Sequence, residues 1–398
     1  MSLPNPRQII ALIAALQFVY ILDFMMVMPL GPDLAKALGF DGEHLGWLTA
    51  AYALASGAAG LAGSRYLDRF DRRKALLWGL GIFALATLAG SLSTNLPMLL
   101  LARALTGLAG GPAIAVAMAI VIDVTLVQAR GAAIGKVMIG FSLAAILGVP
   151  LSLQLAGLWG WQAPFVLVGA AAVLVWCWAA TALPALRGHM NHGPAISLST
   201  LLRKPAVRHA YVLQALAQFS AFLIIPLFPL FLLGSAGIAR DQLGMLYLIG
   251  GCCAFVTLQL LGRLADRTGP RLPAIIATLA LCAGLLPMVG IAGGAVIGLF
   301  AAFMAGNAGR NITLSTICSA APSPQERAGF MALQSIVQDL AIAAASYTSS
   351  LLLIQREGLP PDFRPVALLA IGMSLCLFGL MALNRRTSPQ TAESTSAP

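Results

Sequence analysis

Charged residues are scarce in this chain of 398 residues, since Asp, Glu, Lys and Arg make up only 10% of the sequence while 59% of it is hydrophobic. A soluble domain carries about a quarter charged residues. This chain has too few polar side chains to face water on all sides, and its mean hydropathy of +0.88 indicates an integral membrane protein. The net charge of +10 is interpreted as an excess of cations in cytoplasmic loops, so nucleic acid is not an expected partner.

Side chains that carry enzyme chemistry are also few. The four histidines lie at span ends or in a central linker, and the six cysteines lie inside apolar runs without the spacing of metal ligands. No nucleophile–histidine–acid set, metal cluster or phosphate-binding loop is evident in the sequence. The sequence therefore disfavours an enzyme, and we expect neither a cofactor nor a bound metal.

Long apolar runs fill most of the sequence. A helix needs about 20 apolar residues to cross the hydrocarbon core of a bilayer. Cutting at charge clusters and at Pro/Gly turns predicts twelve such helices, and the first of them is interpreted as a retained span and not as a cleaved signal peptide. Their approximate bounds are 9–31, 44–64, 75–94, 96–122, 132–158, 163–184, 206–233, 241–264, 272–292, 294–317, 328–354 and 364–384.

The distribution of Lys and Arg predicts the orientation of these spans. When both termini are cytoplasmic, most cations fall in cytoplasmic loops, and the opposite side holds only Lys36, Arg240, Arg356 and Arg364. We therefore expect an all-α membrane protein of twelve transmembrane helices in the inner (plasma) membrane of a bacterial-type cell. We also expect it to be a monomer in the lipid bilayer.

The chain divides into two halves with related features. A charged loop at residues 63–74 has a close relative at residues 262–271. Gln17 precedes a Pro-rich turn by the same number of residues as Gln214 does. Parallel six-helix repeats with a site at their interface form a transporter architecture. The predicted parts are a six-helix bundle at 1–184, a cytoplasmic linker at 185–205, a second six-helix bundle at 206–386 and a disordered tail at 387–398.

The second charged loop carries a family resemblance. Residues 262–271 resemble the G-x-L-A-D-R-x-G-R-R/K loop motif of the major facilitator superfamily, with Pro270 as the one departure. The first copy of the loop departs further, at Ser64, Tyr66 and Asp71. The resemblance covers essentially the whole chain and implies the major facilitator fold, with two pseudo-symmetric bundles.

Two further motifs point to one branch of that family. Arg103 and Gly107 resemble an R-x-x-x-G motif in span four, and Gly148, Val149 and Pro150 resemble the span-five motif of drug:proton antiporters. The variant is most similar to arabinose-efflux-permease-like members. The resemblance implies that Gly148 and Pro150 bend span five and that the protein exchanges small molecules for protons.

The charged loops predict a conformational latch. In the family, such a network holds the outward-open state, and the resemblance implies this role for Asp68, Arg72 and Asp123. Asp68 could also cap the helix that follows the loop. Asp266 and Arg267 would form the counterpart in the second half. The alternative is that these charges serve only to hold the loops in the cytoplasm.

Ionisable residues inside membrane helices predict the functional centre, because such groups are rare and usually face a cavity or a partner. Asp23 in span one and Arg103 in span four lie at nearly the same depth, about 1.5 Å of rise being counted per residue. We expect a functional pair in which Asp23 exchanges protons and Arg103 acts as its counter-ion. A static buried ion pair and direct substrate binding are the alternatives.

Polar and aromatic residues inside the predicted spans predict a substrate cavity. They would suit a large, partly apolar substrate, whereas hydrogen bonding between helices and contact with lipid are the alternatives for the same residues. The predicted cavity residues are Gln17, Tyr20, Phe24, Gln154, Gln214, Gln218, Asn307, Arg310, Asn311, Gln338 and Asp339.

These observations predict a proton-coupled transporter that moves small amphipathic molecules, such as drugs, sugars or metabolites, out of the cell by alternating access. Its partners would be a small-molecule substrate, protons and the bilayer. Proton symport for uptake, movement of a lipid-type substrate, and a non-transporting sensor on the same fold are the alternatives.

Overall fold

The computed structural model describes residues 6–66, 70–126, 129–184, 198–291, 295–323, 326–354 and 361–383. These residues are almost entirely helical, which confirms the all-α prediction. The helices are α1 Pro6–Met26, α2 Gly31–Leu38, α3 Leu45–Tyr66, α4 Arg72–Ser91, α5 Leu96–Val124, α6 Arg130–Leu143, α7 Val149–Trp159, α8 Gln162–Ala182, α9 Leu198–Arg203, α10 Pro205–Phe222, α11 Phe228–Leu233, α12 Leu243–Thr268, α13 Arg271–Gly284, α14 Val296–Ser319, α15 Arg327–Leu352 and α16 Arg364–Leu383.

Many of these helices have the length and apolar composition of membrane spans. Within the described ranges, nine helical segments are long and apolar enough to cross a bilayer. The apolar helix α13 is shorter, at 14 residues. The sequence-based count of twelve spans and the position of the termini stay predictions.

Proline interrupts the first helix of each half at the same place. A turn separates α1 from α2, whose first turn carries Pro32, and another separates α10 from α11, whose first turn carries Pro229. Proline has no N–H to donate, so the first turn of a helix, where that N–H would have no partner, is a favoured place for it. The predicted span 206–233 therefore consists of two helices, whereas α2 begins only at Gly31, the last residue of the predicted span 9–31.

The fifth predicted span contains one wide turn. A π-helical turn, Ala144–Gly148, joins α6 to α7, and it is closed by a bond from the Val149 N–H to the Ala144 carbonyl. Pro150 follows at once and cannot donate to the preceding turn. Such single π turns often mark functional positions. The irregularity therefore lies at Gly148 and Pro150, the residues for which a bend is predicted.

The helices form two sets. Helices α1–α8 (the N-terminal set) pack mainly with one another, through contacts such as α3 with α5 and α4 with α8. Helices α10–α16 (the C-terminal set) do the same, through α12 with α14 and α10 with α15. The predicted linker between them is described only from residue 198 onward, where it forms α9, and the predicted tail at 387–398 lies outside the described residues.

The two sets contact each other along α3 and α15 and along α7 and α12. Near the start of α3, Gly46 lies so close to α15 that an added Cβ would stand 2.0 Å from the carbonyl oxygen of Ser346. Asp33 on α2 pairs with Arg240, whose Nε lies 3.0 Å from each carboxylate oxygen. We call the side of the bundle that carries α2 the α2 end, and the opposite side, where α1 begins, the terminal end.

Candidate functional site

A buried ion pair joins α1 to α5. The Nη1 atom of Arg103 donates to Oδ2 of Asp23 at 2.6 Å, and the two side chains are 2% and 0% exposed. Thr87 on α4 donates its hydroxyl to the other oxygen of Asp23 at 3.1 Å. The pair predicted from helical depth is thus in direct contact, and both carboxylate oxygens have a donor. Its role in proton transfer stays a prediction.

Close packing between α3 and α5 positions Arg103. The guanidinium carbon of Arg103 lies 4.7 Å from the centroid of the Tyr52 ring, a distance at which a ring face attracts a cation. One turn further along α5, an added Cβ at Gly107 would stand 2.1 Å from the carbonyl oxygen of Tyr52. The predicted R-x-x-x-G motif therefore has a packing reason, since only glycine lets the two backbones approach this closely.

A cavity of about 350 Å³ lies between the two sets of helices. Aromatic and methionine side chains form most of its wall, and amide side chains from α14 and α15 line one side. Phe24 lies between the sets, with its ring centroid 5.1 Å from that of Tyr52 and 5.9 Å from that of Phe222, both rings being tilted against it. The predicted cavity residues that line it are Tyr20, Phe24, Gln218, Asn307, Asn311, Gln338 and Asp339.

Four predicted cavity residues lie elsewhere. Gln17 and Gln214 are buried in the helix packing, and Gln154 is exposed on α7. Arg310 is fully buried. Its guanidinium donates to the hydroxyl of Ser220 at 2.8 Å and to the carbonyl of Ala217 at 2.6 Å. The sequence placed these residues inside membrane spans but could not tell the face of the helix on which they lie, and their part in substrate binding stays a prediction.

Asp339 is the carboxylate of the cavity wall. Its Oδ2 accepts a hydrogen bond of 2.7 Å from the hydroxyl of Ser56. Ser56 lies on α3 and Asp339 on α15, so the bond joins the two sets of helices. The sequence reasoning missed both Ser56 and Tyr52. Their spacing of four residues places them on one face of α3, and this spacing was the available signal.

One contact of the predicted latch is present, and its role as a latch stays a prediction. Arg72 on α4 pairs with Asp123 on α5, with 2.7 Å between Nη1 and Oδ2. Asp68 lies outside the described residues, and Asp71 is the residue that caps α4, through a bond of 2.9 Å from the Arg73 N–H.

The predicted counterpart in the C-terminal set shows no such contact in the described part of the chain. Asp266 and Arg267 make no ion pair with any described residue, and both are exposed on the last turn of α12. Lys204 and Glu326 pair instead at the start of α10 and α15, with 2.7 Å between Nζ and the carboxylate. The sequence reasoning did not anticipate this pair, since it did not foresee that α9 and α15 pack together.

Apolar helices of membrane-spanning length, arranged in two sets around a central cavity beside a buried ion pair, define a polytopic membrane protein of the transporter type. The chain belongs to the Major Facilitator Superfamily, whose family model matches residues 13–346 and, in a second match, residues 210–398. The family and the fold indicate a membrane transporter and not an enzyme.

Curated bacterial relatives match parts of the chain. Multidrug resistance protein 2 of Bacillus subtilis is 28% identical over 173 residues, which are 44% of this chain and 43% of the relative. A probable sugar efflux transporter of Helicobacter pylori is 25% identical over 65% of this chain and 66% of the relative. A chloramphenicol resistance protein of Streptomyces lividans is 26% identical over 64% of this chain and 66% of the relative. The matches thus span less than two thirds of each relative.

Solved structures resemble the whole chain. The nucleoside transporter NupG superposes with a TM-score of 0.73 at 15% identity, covering 96% of this chain and 99% of that one. A D-xylose-proton symporter superposes with a TM-score of 0.75 at 16% identity, covering 98% and 99% of the two chains. At this level of identity the similarity establishes the fold alone.

Proposed function

We propose that this protein is a proton-coupled antiporter that exports small amphipathic molecules across the bacterial inner membrane by alternating access. It would do so as a monomer with twelve spans and both termini in the cytoplasm. The names of the relatives support export, since they describe multidrug resistance, sugar efflux and chloramphenicol resistance. The cavity between the two sets of helices supports alternating access, because rocking of two repeats exposes a site at their interface to each side in turn.

The observation that carries proton coupling is the contact between Asp23 and Arg103 beside the cavity. The charge of Asp23 is stabilised only while α1, α4 and α5 hold Arg103 and Thr87 against it. A movement that lengthens these contacts favours the protonated carboxyl, because an unpaired carboxylate is costly in a dry interior. Arg103 keeps its charge throughout, so the proton is carried by Asp23.

The ion pairs at the two ends of the molecule differ, and this difference favours an inward-facing conformation. The ion pair between Asp33 and Arg240 joins the two sets at the α2 end, which is the external side in the predicted orientation. At the terminal end, the pairs Arg72–Asp123 and Lys204–Glu326 each lie within one set. We propose that the α2 end is closed here and that substrate enters from the cytoplasm.

Transport by the purified protein in proteoliposomes tests this function. We expect an imposed pH gradient to drive the movement of ethidium or chloramphenicol against the flow of protons, and Asp23→Asn to abolish this drive. Asp41→Asn, which neutralises an exposed acid at the α2 end, is the matched control. Unchanged gradient-driven transport by Asp23→Asn would show that Asp23 does not couple protons. Accumulation in the same direction as proton flow would show symport.

A second variant separates charge from geometry. Arg103→Lys keeps the positive charge but loses the planar donor group that contacts Asp23 and the Tyr52 ring. We expect transport to fall at least about tenfold, which corresponds to a loss of about 1.4 kcal/mol of interaction free energy. Normal transport by this variant would exclude a specific role for the pair.

A further inference from the structure

The charge of the cavity wall is unbalanced. Of the described residues that line it, Asp339 is the one with a formal charge at neutral pH, and the wall includes no Lys, Arg or His. The buried arginines Arg103 and Arg310 are engaged elsewhere, because Arg103 donates to Asp23 and Arg310 donates to Ser220 and Ala217. The cavity therefore presents one negative group to whatever occupies it.

Asp339 is less completely paired than Asp23. Asp23 has an arginine on one oxygen and a threonine on the other. Asp339 accepts one bond from a neutral hydroxyl, that of Ser56, and no cation in the described part of the chain pairs with it. A carboxylate at membrane depth is costly unless a partner neutralises it. On the side that faces the cavity, Asp339 thus has no counter-ion, and a cationic ligand can supply one.

The rest of the wall suits the body of such a ligand. The rings of Phe24, Tyr52 and Phe222 form a continuous aromatic surface across both sets of helices. Ring faces attract cations, and aromatic walls bury apolar groups. Asn307 and Gln338 add neutral hydrogen-bonding groups to the same cavity wall. A volume of about 350 Å³ lies within the range of pockets that hold drug-sized molecules.

We infer that the substrate of this cavity is a lipophilic organic cation, whose positive group binds the carboxylate of Asp339 and whose apolar body packs on Phe24, Tyr52 and Phe222. This inference rests on the proposed function only in treating the ligand of the cavity as the transported molecule. An organic anion would face the unpaired carboxylate without any compensating cation. A neutral sugar would leave that charge unneutralised and would set its hydroxyls against rings.

Two probes of nearly the same shape and opposite charge test the inference. Tetraphenylphosphonium and tetraphenylborate differ mainly in the sign of the charge at their centre. Binding to the purified full chain in detergent is measured by equilibrium dialysis without any pH gradient. We expect tetraphenylphosphonium to bind and tetraphenylborate not to compete with it. Asp339→Asn should weaken binding by about tenfold or more, since bonds to a charged group are stronger than neutral ones, whereas Asp41→Asn should bind as the wild type does.

Asp339→Glu keeps the test decisive if the asparagine variant is unstable, because it retains the charge and should retain binding within a few-fold. Equal binding of both probes, or wild-type binding by a folded Asp339→Asn, overturns the inference. The measurement also separates the two proposals. Gradient-driven export of neutral chloramphenicol without phosphonium binding would refute only the substrate class. Phosphonium binding at Asp339 without transport of any kind would refute the transport function and leave the cation site in place.

Discussion

At the scale of single residues, the contact between Asp23 and Arg103 predicts how substitutions of either residue change the stability of the protein. Removing one partner leaves the other charge buried and unpaired, which typically costs about 3–5 kcal/mol, whereas removing both costs less. We therefore expect Asp23→Asn and Arg103→Gln each to lower the melting temperature in detergent strongly, and the double variant to recover part of that loss. Thr87→Val, which removes only a neutral donor, should cost about 0.5–1.5 kcal/mol.

The double-mutant cycle decides whether the pair acts as a unit. If the loss in the double variant equals the sum of the two single losses, the charges are not coupled and the mechanism proposed for Asp23 loses its structural basis.

Glu326 is held by donors that favour its charged form. The hydrogen bond from the Lys204 ammonium, and then those from the hydroxyl and N–H of Ser323, lower the pKa of Glu326 to about 2. A lowered pKa adds stability above the unfolded value of about 4.3, and this is lost as the pH falls towards the folded value. We expect Glu326→Gln to melt below the wild type at pH 7 and the difference to shrink below pH 4.3. A difference that stays constant down to pH 3 would contradict this account.

Depth was predictable for single residues, but the helix face was not. A rise of about 1.5 Å per residue sufficed to match Asp23 with Arg103 across two antiparallel helices. Arg310 and Gln214 were predicted to line the cavity, yet both point into helix packing. A membrane helix is apolar on every side, so hydrophobic periodicity does not tell its cavity face from its packed face.

At the scale of helices, close approach between α3 and α5 governs the site. We expect Gly107→Ala to destabilise the protein by about 1–3 kcal/mol, because the new methyl group would overlap the backbone of Tyr52 and push its ring away from Arg103. Gly372→Ala is the matched control, since an added Cβ at this exposed position of α16 meets no atom within 4 Å. Melting temperatures of the two variants measure the difference, and equal values would mean that α3 can move aside without cost.

Helix boundaries were predictable where proline or charge marks them. Helix α4 begins at Arg72, among the cations of the first loop, and Pro32 and Pro229 lie in the first turns of α2 and α11. The π turn before Pro150 was not predictable in kind, because a proline in a helix can be accommodated by a kink, a break or a wide turn. Only the packing of α6 and α7 against α1 and α12 selects among these outcomes.

At the scale of the whole molecule, the internal repeat predicted two similar bundles, because similar halves are expected to pack alike, and the helices form an N-terminal and a C-terminal set. Matching loops and the equal spacing from Gln17 and Gln214 to their prolines carried that prediction. The conformational state was not predictable in the same way. Several states of a transporter share one sequence and differ by small free energies, so which end is closed depends on contacts between the sets and not on the pattern within either.

If the α2 end is closed by contacts between the two sets of helices, weakening those contacts should open it. Arg240→Gln removes the ion pair with Asp33, and Gly46→Val places a side chain against the backbone of Ser346. We expect both to shift the population towards a state open at the α2 end. The shift should be about threefold for Arg240→Gln, since a partly exposed pair contributes about 0.2–1 kcal/mol. Gly46→Val should shift it further, because the overlap with the Ser346 carbonyl cannot be relieved within the closed state.

The measurement is labelling of a cysteine at Ile225, which lines the cavity, by a maleimide that cannot cross the membrane. A background without the six native cysteines is needed, because several of them are exposed. Labelling from the side of Asp33 should accelerate in both variants and stay unchanged in Asp41→Asn. If neither variant labels faster, the contacts of Gly46 and Arg240 do not hold the α2 end closed, and the inward-facing assignment fails with them. If both variants label faster, the free-energy difference between the closed and the open state is as small as alternating access requires. A ligand that binds Asp339 is then placed to shift the balance between these states, because the Ser56–Asp339 bond joins α3 and α15, the helices that also meet at Gly46.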